Sequence, residues 1–342
     1  MTLPLLAELR GIVAAVDVLT PTGFRFAGRS FQEAPRQPRP GEPEPVRPRV
    51  VDALQNAFYQ YCYVRRFAGS AADLPYAPRA DDDLVPLLQR AHPGRERWEA
   101  GWTIKEILQS GQVIATRHGA SRFLWPGEFA TRDAPGTQPR AGMHVSVFCP
   151  RDSATIQPGF YYVFGEATGD QDAELDLVRI YWHIGDEGAP TLVHHLTGAL
   201  NRYAVPFRFK TLSRRGAYVR SDAAVLYVNR RYFHISAELA DSEVRPRLAP
   251  FLRPETPLFT RALFPGIALA EDPETGESFG MARCRVLAEA LWEAREKEVQ
   301  TLDGRMEIVA RRYAESGVDL ERPYLNAGSI DRYDLPAAAA AA

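Results

Sequence analysis

Apolar positions along the chain change their period near the middle. Val51, Leu54, Phe58 and Tyr61 recur at i, i+3, i+7 and i+10, which predicts an amphipathic helix running to about Phe67. Trp98 to Ser110 reads as another helix, closed by Gly111. Between them, residues 70–97 hold several prolines and the run Asp81-Asp82-Asp83, and read as loop with a short helix. From about residue 140 the period falls to two. Residues 143–149, 159–165, 176–184, 207–212 and 223–228 are short runs rich in β-branched and aromatic side chains, each a predicted strand. Leu192, Leu196, Ala199, Leu200 and Tyr203 form a helical stripe that Pro206 ends. Cys284, Leu287, Ala288 and Leu291 mark a helix starting after Ser278, and a last helix covers roughly Asp303 to Ser316.

Strands grouped in the middle, with helices on either side, point to an α+β fold. The expected architecture is a central, mostly antiparallel sheet with flanking helices, plus an N-terminal helical region. Residues 1–50 form an N-terminal segment whose Pro-rich stretch, 34–49, cannot bury a core and reads as an arm. Residues 51–135 form the helical region, 140–265 the α+β core and 266–335 C-terminal helices packed on it. The alanine tail at 337–342 is left out of the fold. There is no internal repeat.

Composition narrows the class. A chain of 342 residues with 45% apolar content can bury a sizeable core, and a net charge of −2 gives no global case for nucleic acid or an acidic membrane. No apolar run approaches a membrane span, and the N-terminus lacks a basic segment followed by a long apolar stretch. Cys62, Cys149 and Cys284 are far apart and without metal-ligand spacing, so free thiols in a reducing cytoplasm are expected. No phosphate-binding glycine loop, dinucleotide fingerprint or kinase signature is present.

Charge usage singles out one residue. Of 41 basic residues only three are lysines, and Lys210 lies in sequence among Arg208, Arg214, Arg215 and Arg220. A guanidinium stays protonated at any working pH, whereas a lysine crowded by cations can lose its proton and act as a base. A solvated surface lysine fits the same pattern. Strand alternation sets Arg208 and Lys210 on one face, opposite Phe207 and Phe209, and sets His144 and Ser146 together, opposite Val145, Val147 and Cys149. If these strands share a sheet, one face carries His, Ser, Arg and Lys together, an anion site with a base and an acid. Gly276 and Ser278 precede a helix whose free amides, with Arg283 just past the first turn, form either an anion site or an ordinary helix cap. His194 and His195 face different ways on a helix and do not suit joint metal ligation, while His183 and His234 read as core or interface residues. The acidic run Glu166, Asp170, Asp172, Glu174 and Asp176 is a solvated loop or a holder for a basic leader peptide.

Several ordered motifs carry a resemblance. They are Tyr181-Trp182, Leu200-Asn201, Val205 to Lys210, Arg220 to Val228, Ala270 to Pro273 and Ser278 to Arg283. Together they resemble the HopA-type effector family over roughly residues 50–300. That family is named for a plant-pathogen effector. It has relatives in gene clusters for ribosomally made, modified peptides, including class V lanthipeptides and thioamitides, where they eliminate phosphate from phosphoserine or phosphothreonine after a separate kinase has acted. The chain also resembles, more distantly, the phosphothreonine lyase effectors. That likeness implies His144 as general acid, Lys210 as general base, Arg220 as a phosphate ligand and Leu226 to Asn229 as the last strand of the site. Met143 and Asn229 depart from that pattern, each standing where a lysine is expected; either Arg230 or another arginine replaces the second, or the phosphate is held differently. The long interval between His144 and Lys210 requires an inserted segment, placed at residues 150–200.

The resemblance therefore implies a lyase forming dehydroalanine or dehydrobutyrine in a precursor peptide, with a separate Ser/Thr kinase as partner and neither metal nor organic cofactor. Lys210 and His144 would be catalytic, and Arg220, Arg208, Arg283, Arg230 and Ser278 would hold phosphate. The alternative is a non-catalytic module that binds a phosphopeptide or the kinase.

Overall fold

The computed structural model describes residues 3–32, 47–73, 81–131, 136–170, 175–273 and 275–335. Most of the Pro-rich stretch and the alanine tail lie outside these residues. The chain opens with α1 (Leu3–Ala14) and an antiparallel three-stranded sheet of β1 (Val16–Thr20), β2 (Gly23–Phe26) and β3 (Arg29–Gln32). Phe26 of β2 packs edge-on against Phe58 and stacks on Phe67, so this sheet joins the main core.

The helix expected from Val51 forms as α2 (Arg49–Phe58), then widens into a π-helical turn over Tyr59–Tyr63. It packs on a C-terminal helix, α7 (Phe279–Glu296). Gly280 of α7 is required there, because a Cβ would sit 2.4 Å from the Tyr63 ring. After α3 (Val85–Ala91) the chain departs from expectation.

Residues predicted as a helix from Trp98 form β4 (Arg97–Ile107). It is the middle strand of a five-stranded antiparallel sheet with β5 (Val113–Arg117), β6 (Ala120–Leu124), β7 (Phe129–Thr131) and β8 (His144–Cys149), in the order β6-β5-β4-β8-β7. Trp102 and Ile104 alternate inward, beside Val145 and Ala115 across the strands, and those pairs outweigh the local helical spacing. Gly101, at φ +88°, sits in the bulge that re-aims the strand. The expected helical region 51–135 is thus helical only in its first half.

The second large sheet holds seven strands. They are β9 (Asp152–Ser153), β10 (Phe160–Phe164), β11 (Leu177–Trp182), β12 (Arg208–Leu212), β13 (Ala224–Asn229), β14 (Arg261–Phe264) and β15 (Ile267–Glu271), with α4 (Ala189–Arg202), α5 (Phe233–Leu239) and α6 (Arg245–Leu248) in the connections. The order is β14-β15-β11-β13-β12-β10-β9, every neighbour antiparallel. Residues 150–200, expected to be an insertion, supply β10 and β11 on either side of the β12–β13 pair and are integral to the sheet. The helices α7 (Phe279–Glu296) and α8 (Leu302–Glu315) pack on each other and close the fold. The molecule is α+β, as expected, and no helix among the described residues is long and apolar enough to cross a membrane.

The register gives the seven-stranded sheet two unlike faces. One row reads Val163, Phe209, Leu226, Ile180, Leu269, all fully buried. The rows on the other face read Tyr162, Lys210, Val225, Tyr181, Ala268 and Phe164, Arg208, Tyr227, Arg179, Ala270. Cations and phenols therefore share one side of an otherwise apolar sheet.

Candidate active site

Lys210 projects from the middle of β12 into an aromatic box. Its Nζ lies 4.4 Å from the Phe160 ring centroid and 5.8 Å from those of Tyr162 and Tyr227. It donates to Gln157 Oε1 at 3.1 Å, an oxygen that also accepts from the Tyr162 hydroxyl at 2.7 Å. Among the described residues no carboxylate forms an ion pair with Lys210. Burial, then the guanidinium of Arg179, pull its pKa from the usual 10.5 down to about 8; Arg220 and Arg208 act in the same direction and Asp222 against it.

Tyr227 is the hub of the cations. The guanidinium carbons of Arg179 and Arg208 stand 5.2 and 5.1 Å from its ring centroid, with Lys210 on the same ring. Arg179 is buried and paired with Asp272 at 2.6 Å. Burial opposes its charge, but Tyr181, Tyr227 and Asp272 outweigh that and raise its pKa. Its Nε has no hydrogen-bond partner. Arg220 forms a two-pronged pair with Asp222, both bonds 2.8 Å, and also donates to the Tyr59 hydroxyl at 3.0 Å. Burial would raise the Asp222 carboxyl, yet Arg220 beside it holds it low. The site is thus a face of one lysine and three arginines, with two arginines pre-positioned by carboxylates. Such a face suits a multiply charged oxyanion.

The structure brings Lys210, Arg208 and Arg220 together and leaves the other expected site residues elsewhere. His144 belongs to β8, in the other sheet; it is exposed and its Nδ1 lies 3.2 Å from Thr103 Oγ1. Only Cys149, five residues along and about 17 Å away at ~3.3 Å per residue, reaches the cleft between the sheets. His144 and Ser146 therefore do not share a face with Lys210, and Ser146 is itself buried. Arg283 is buried and spends its donors on the Pro323 and Leu325 carbonyls, each at 2.8 Å, so it ties the C-terminal segment to α7. Ser278 caps α7 through Met281 N, the helix-cap alternative. Arg230 pairs with Asp176 and Glu271 at a separate cavity. Asn229 bonds to Leu175 O and caps the turn at Arg231.

Other candidates resolve similarly. His183 is buried against Glu255 O, as a core histidine should be, whereas His234 is exposed on α5. The His194 and His195 rings lie edge to face, and the described residues contain no cluster of three metal-ligating side chains. All three cysteines are buried free thiols.

Sequence reasoning missed Arg179, Tyr162, Gln157, Tyr59 and Asp222. Arg179 had a signal: it is the single charge in Leu177-Val-Arg-Ile-Tyr-Trp182, and a charge in a run that apolar must be paired or functional. Asp222 stands two residues from Arg220, inside a motif already singled out; Tyr162, Gln157 and Tyr59 come from separate elements and had no signal.

A cleft of about 570 Å³ opens beside this face, between the two sheets. Arg208 and Tyr227 line it, as do Arg97, Ser121 and Arg122 from the five-stranded sheet.

Comparison with known proteins bears on the seven-stranded sheet. No curated protein matches the chain. Two solved structures, the effector proteins from Pseudomonas syringae pv. tomato strain DC3000 and from Pseudomonas syringae pv. syringae strain 61, are similar at 19% and 16% identity, with TM-scores of 0.38 and 0.36. The alignments cover 51% and 49% of this chain and 66% and 63% of theirs, so the chain spans just under two thirds of those effectors. The sequence model of the HopA1 effector protein family matches residues 151–325, a stretch that begins after β8 and holds Lys210, Arg179, Arg208 and Arg220. This chain belongs to the HopA1 effector protein family.

Proposed function

We propose that the protein is a phosphoserine/phosphothreonine lyase that converts a ribosomal precursor peptide, phosphorylated by a separate Ser/Thr kinase, into its dehydroalanine or dehydrobutyrine form. One observation carries this reading: a lysine drawn down to about 8 that stands among three arginines with no carboxylate of its own. Neutral Nζ of Lys210 takes the proton from Cα of the phosphorylated residue. The electron pair forms the Cα=Cβ bond, the Cβ–O bond breaks, and phosphate leaves onto Arg220 and Arg208, with Arg179 behind them. The departing oxygen needs a proton, and His144 belongs to the other sheet. Tyr162 is the hydroxyl that shares Gln157 with Lys210 and would supply it.

The displacement of His144 favours a second reading, a module that grips a phosphorylated peptide without chemistry. Mass spectrometry of a phosphothreonine peptide incubated with the protein separates the two. A lyase yields a product about 98 Da lighter, the mass of phosphoric acid lost in elimination, and loses this activity in Lys210→Arg, which keeps the charge but cannot act as a base. A binding module yields no such product and retains phosphopeptide affinity in that variant.

A further inference from the structure

The cleft beside Lys210 has its own chemistry. One wall comes from the family core through Phe207, Arg208 and Tyr227, the other from Arg97, Ser121 and Arg122 of the five-stranded sheet. Its lining carries Arg97, Arg122 and Arg208 against one carboxylate, Asp170, which Arg231 already grips with two bonds of 2.8 and 3.0 Å. Glu99, behind the lining, is shared between Arg97 and Arg117 and offsets one of their two charges. Among the described residues Arg122 has no carboxylate partner: its guanidinium lies over the Trp102 ring at 5.2 Å and 3.3 Å from Cys149 Sγ. Among the described residues the excess charge of the lining is positive.

The cleft also borders an open strand edge. β6 ends the five-stranded sheet, its outer side is unpaired among the described residues, and Gly119 and Ala120 at its start line the cleft. An unpaired edge presents N–H and C=O groups that an extended chain can complete. The cleft adjoins the candidate active site: Tyr227 lines the cleft and its ring centroid stands 5.8 Å from Lys210 Nζ. Arg208 is two residues from Lys210 along β12, about 7 Å.

We propose that this cleft docks the extended, acidic peptide segment flanking the phosphorylated residue, with Arg122 selecting its carboxylates and the edge of β6 pairing with its backbone. This rests on the reading of the Lys210 site as one for a phosphorylated peptide. Substrate preference then depends on charges next to the target residue as well as on its phosphate.

The test uses the full chain carrying Lys210→Met, so that bound peptide is not consumed, and fluorescein-labelled phosphothreonine peptides read by anisotropy. One peptide has glutamates beside the phosphothreonine, one has alanines, and unphosphorylated versions serve as controls. The acidic phosphopeptide should bind about tenfold tighter than the neutral one, and Arg122→Glu should abolish that difference while leaving the neutral phosphopeptide unchanged. In Ser121→Cys, an alkylated thiol at this exposed position should weaken the acidic peptide more than the neutral one, a check that does not depend on Arg122→Glu folding. Equal affinity for both flanks, or a preference that survives both changes, overturns the cleft assignment and leaves the phosphate site standing. Binding that ignores phosphate on every peptide overturns the proposed function along with it.

Discussion

Arg179 and Lys210 lie on the same face of the seven-stranded sheet, on strands β11 and β12 with β13 between them, and both reach the ring of Tyr227. After burial, Arg179 is the strongest influence lowering the lysine's proton affinity. The arginine keeps its charge because Asp272 holds it, so the lysine is the group that yields its proton.

That relationship fixes the direction of the pH dependence. The working form of Lys210 is the neutral one, so kcat/KM for a phosphothreonine peptide should rise about tenfold per pH unit below about 8 and flatten above it. Stopped-time mass spectrometry across pH 6 to 10 reads this profile. A rate already flat at pH 6 would remove Lys210 from the role of base.

Stability should carry the opposite mark of the same shift. The folded-state pKa lies below the unfolded value of 10.5, so the charged lysine destabilises the fold fully below about 8, less between 8 and 10.5, and not at all above. Lys210→Met should therefore melt higher than the parent at pH 7, with the gap closing towards pH 10.5. A constant gap at every pH would point to a packing effect.

Asp222 is buried against Arg220 and bonded to Tyr59. Asp222→Ala leaves that guanidinium without its counter-charge and should cost about 3 kcal/mol in chemical denaturation. Inorganic phosphate should restore more stability to this variant than to the parent, since the anion would replace the missing carboxylate.

Arg283 offers the contrast. Arg283→Met strips two buried carbonyls of their donor and should cost about 2–4 kcal/mol, yet phosphopeptide affinity should not change. His144→Ala should leave both stability and elimination within about twofold of the parent, as expected of an exposed side chain in the other sheet.

The sequence by itself determined the strands of the seven-stranded sheet from β10 to β13 and the helices α2, α4, α7 and α8. In the helices burial follows the 3.6 period, and the strands, buried on both faces, announce themselves as short β-branched and aromatic runs, so local sequence carries the information. It also placed Arg208 and Lys210 on one face and marked Lys210 as unusual among arginines. Tertiary structure decided the rest. The stretch from Trp98 has helical spacing, but Trp102 gains more from facing Val145 across β8 than from its own neighbours in sequence. His144 alternates as correctly as Lys210 does, yet alternation cannot say which sheet a strand joins, and the two strands joined different ones. Arg283 and Arg220 are alike as letters; one meets backbone carbonyls and the other a carboxylate beside Lys210. Those partners lie 40 residues away in one case and two in the other, and only the folded chain selects between them.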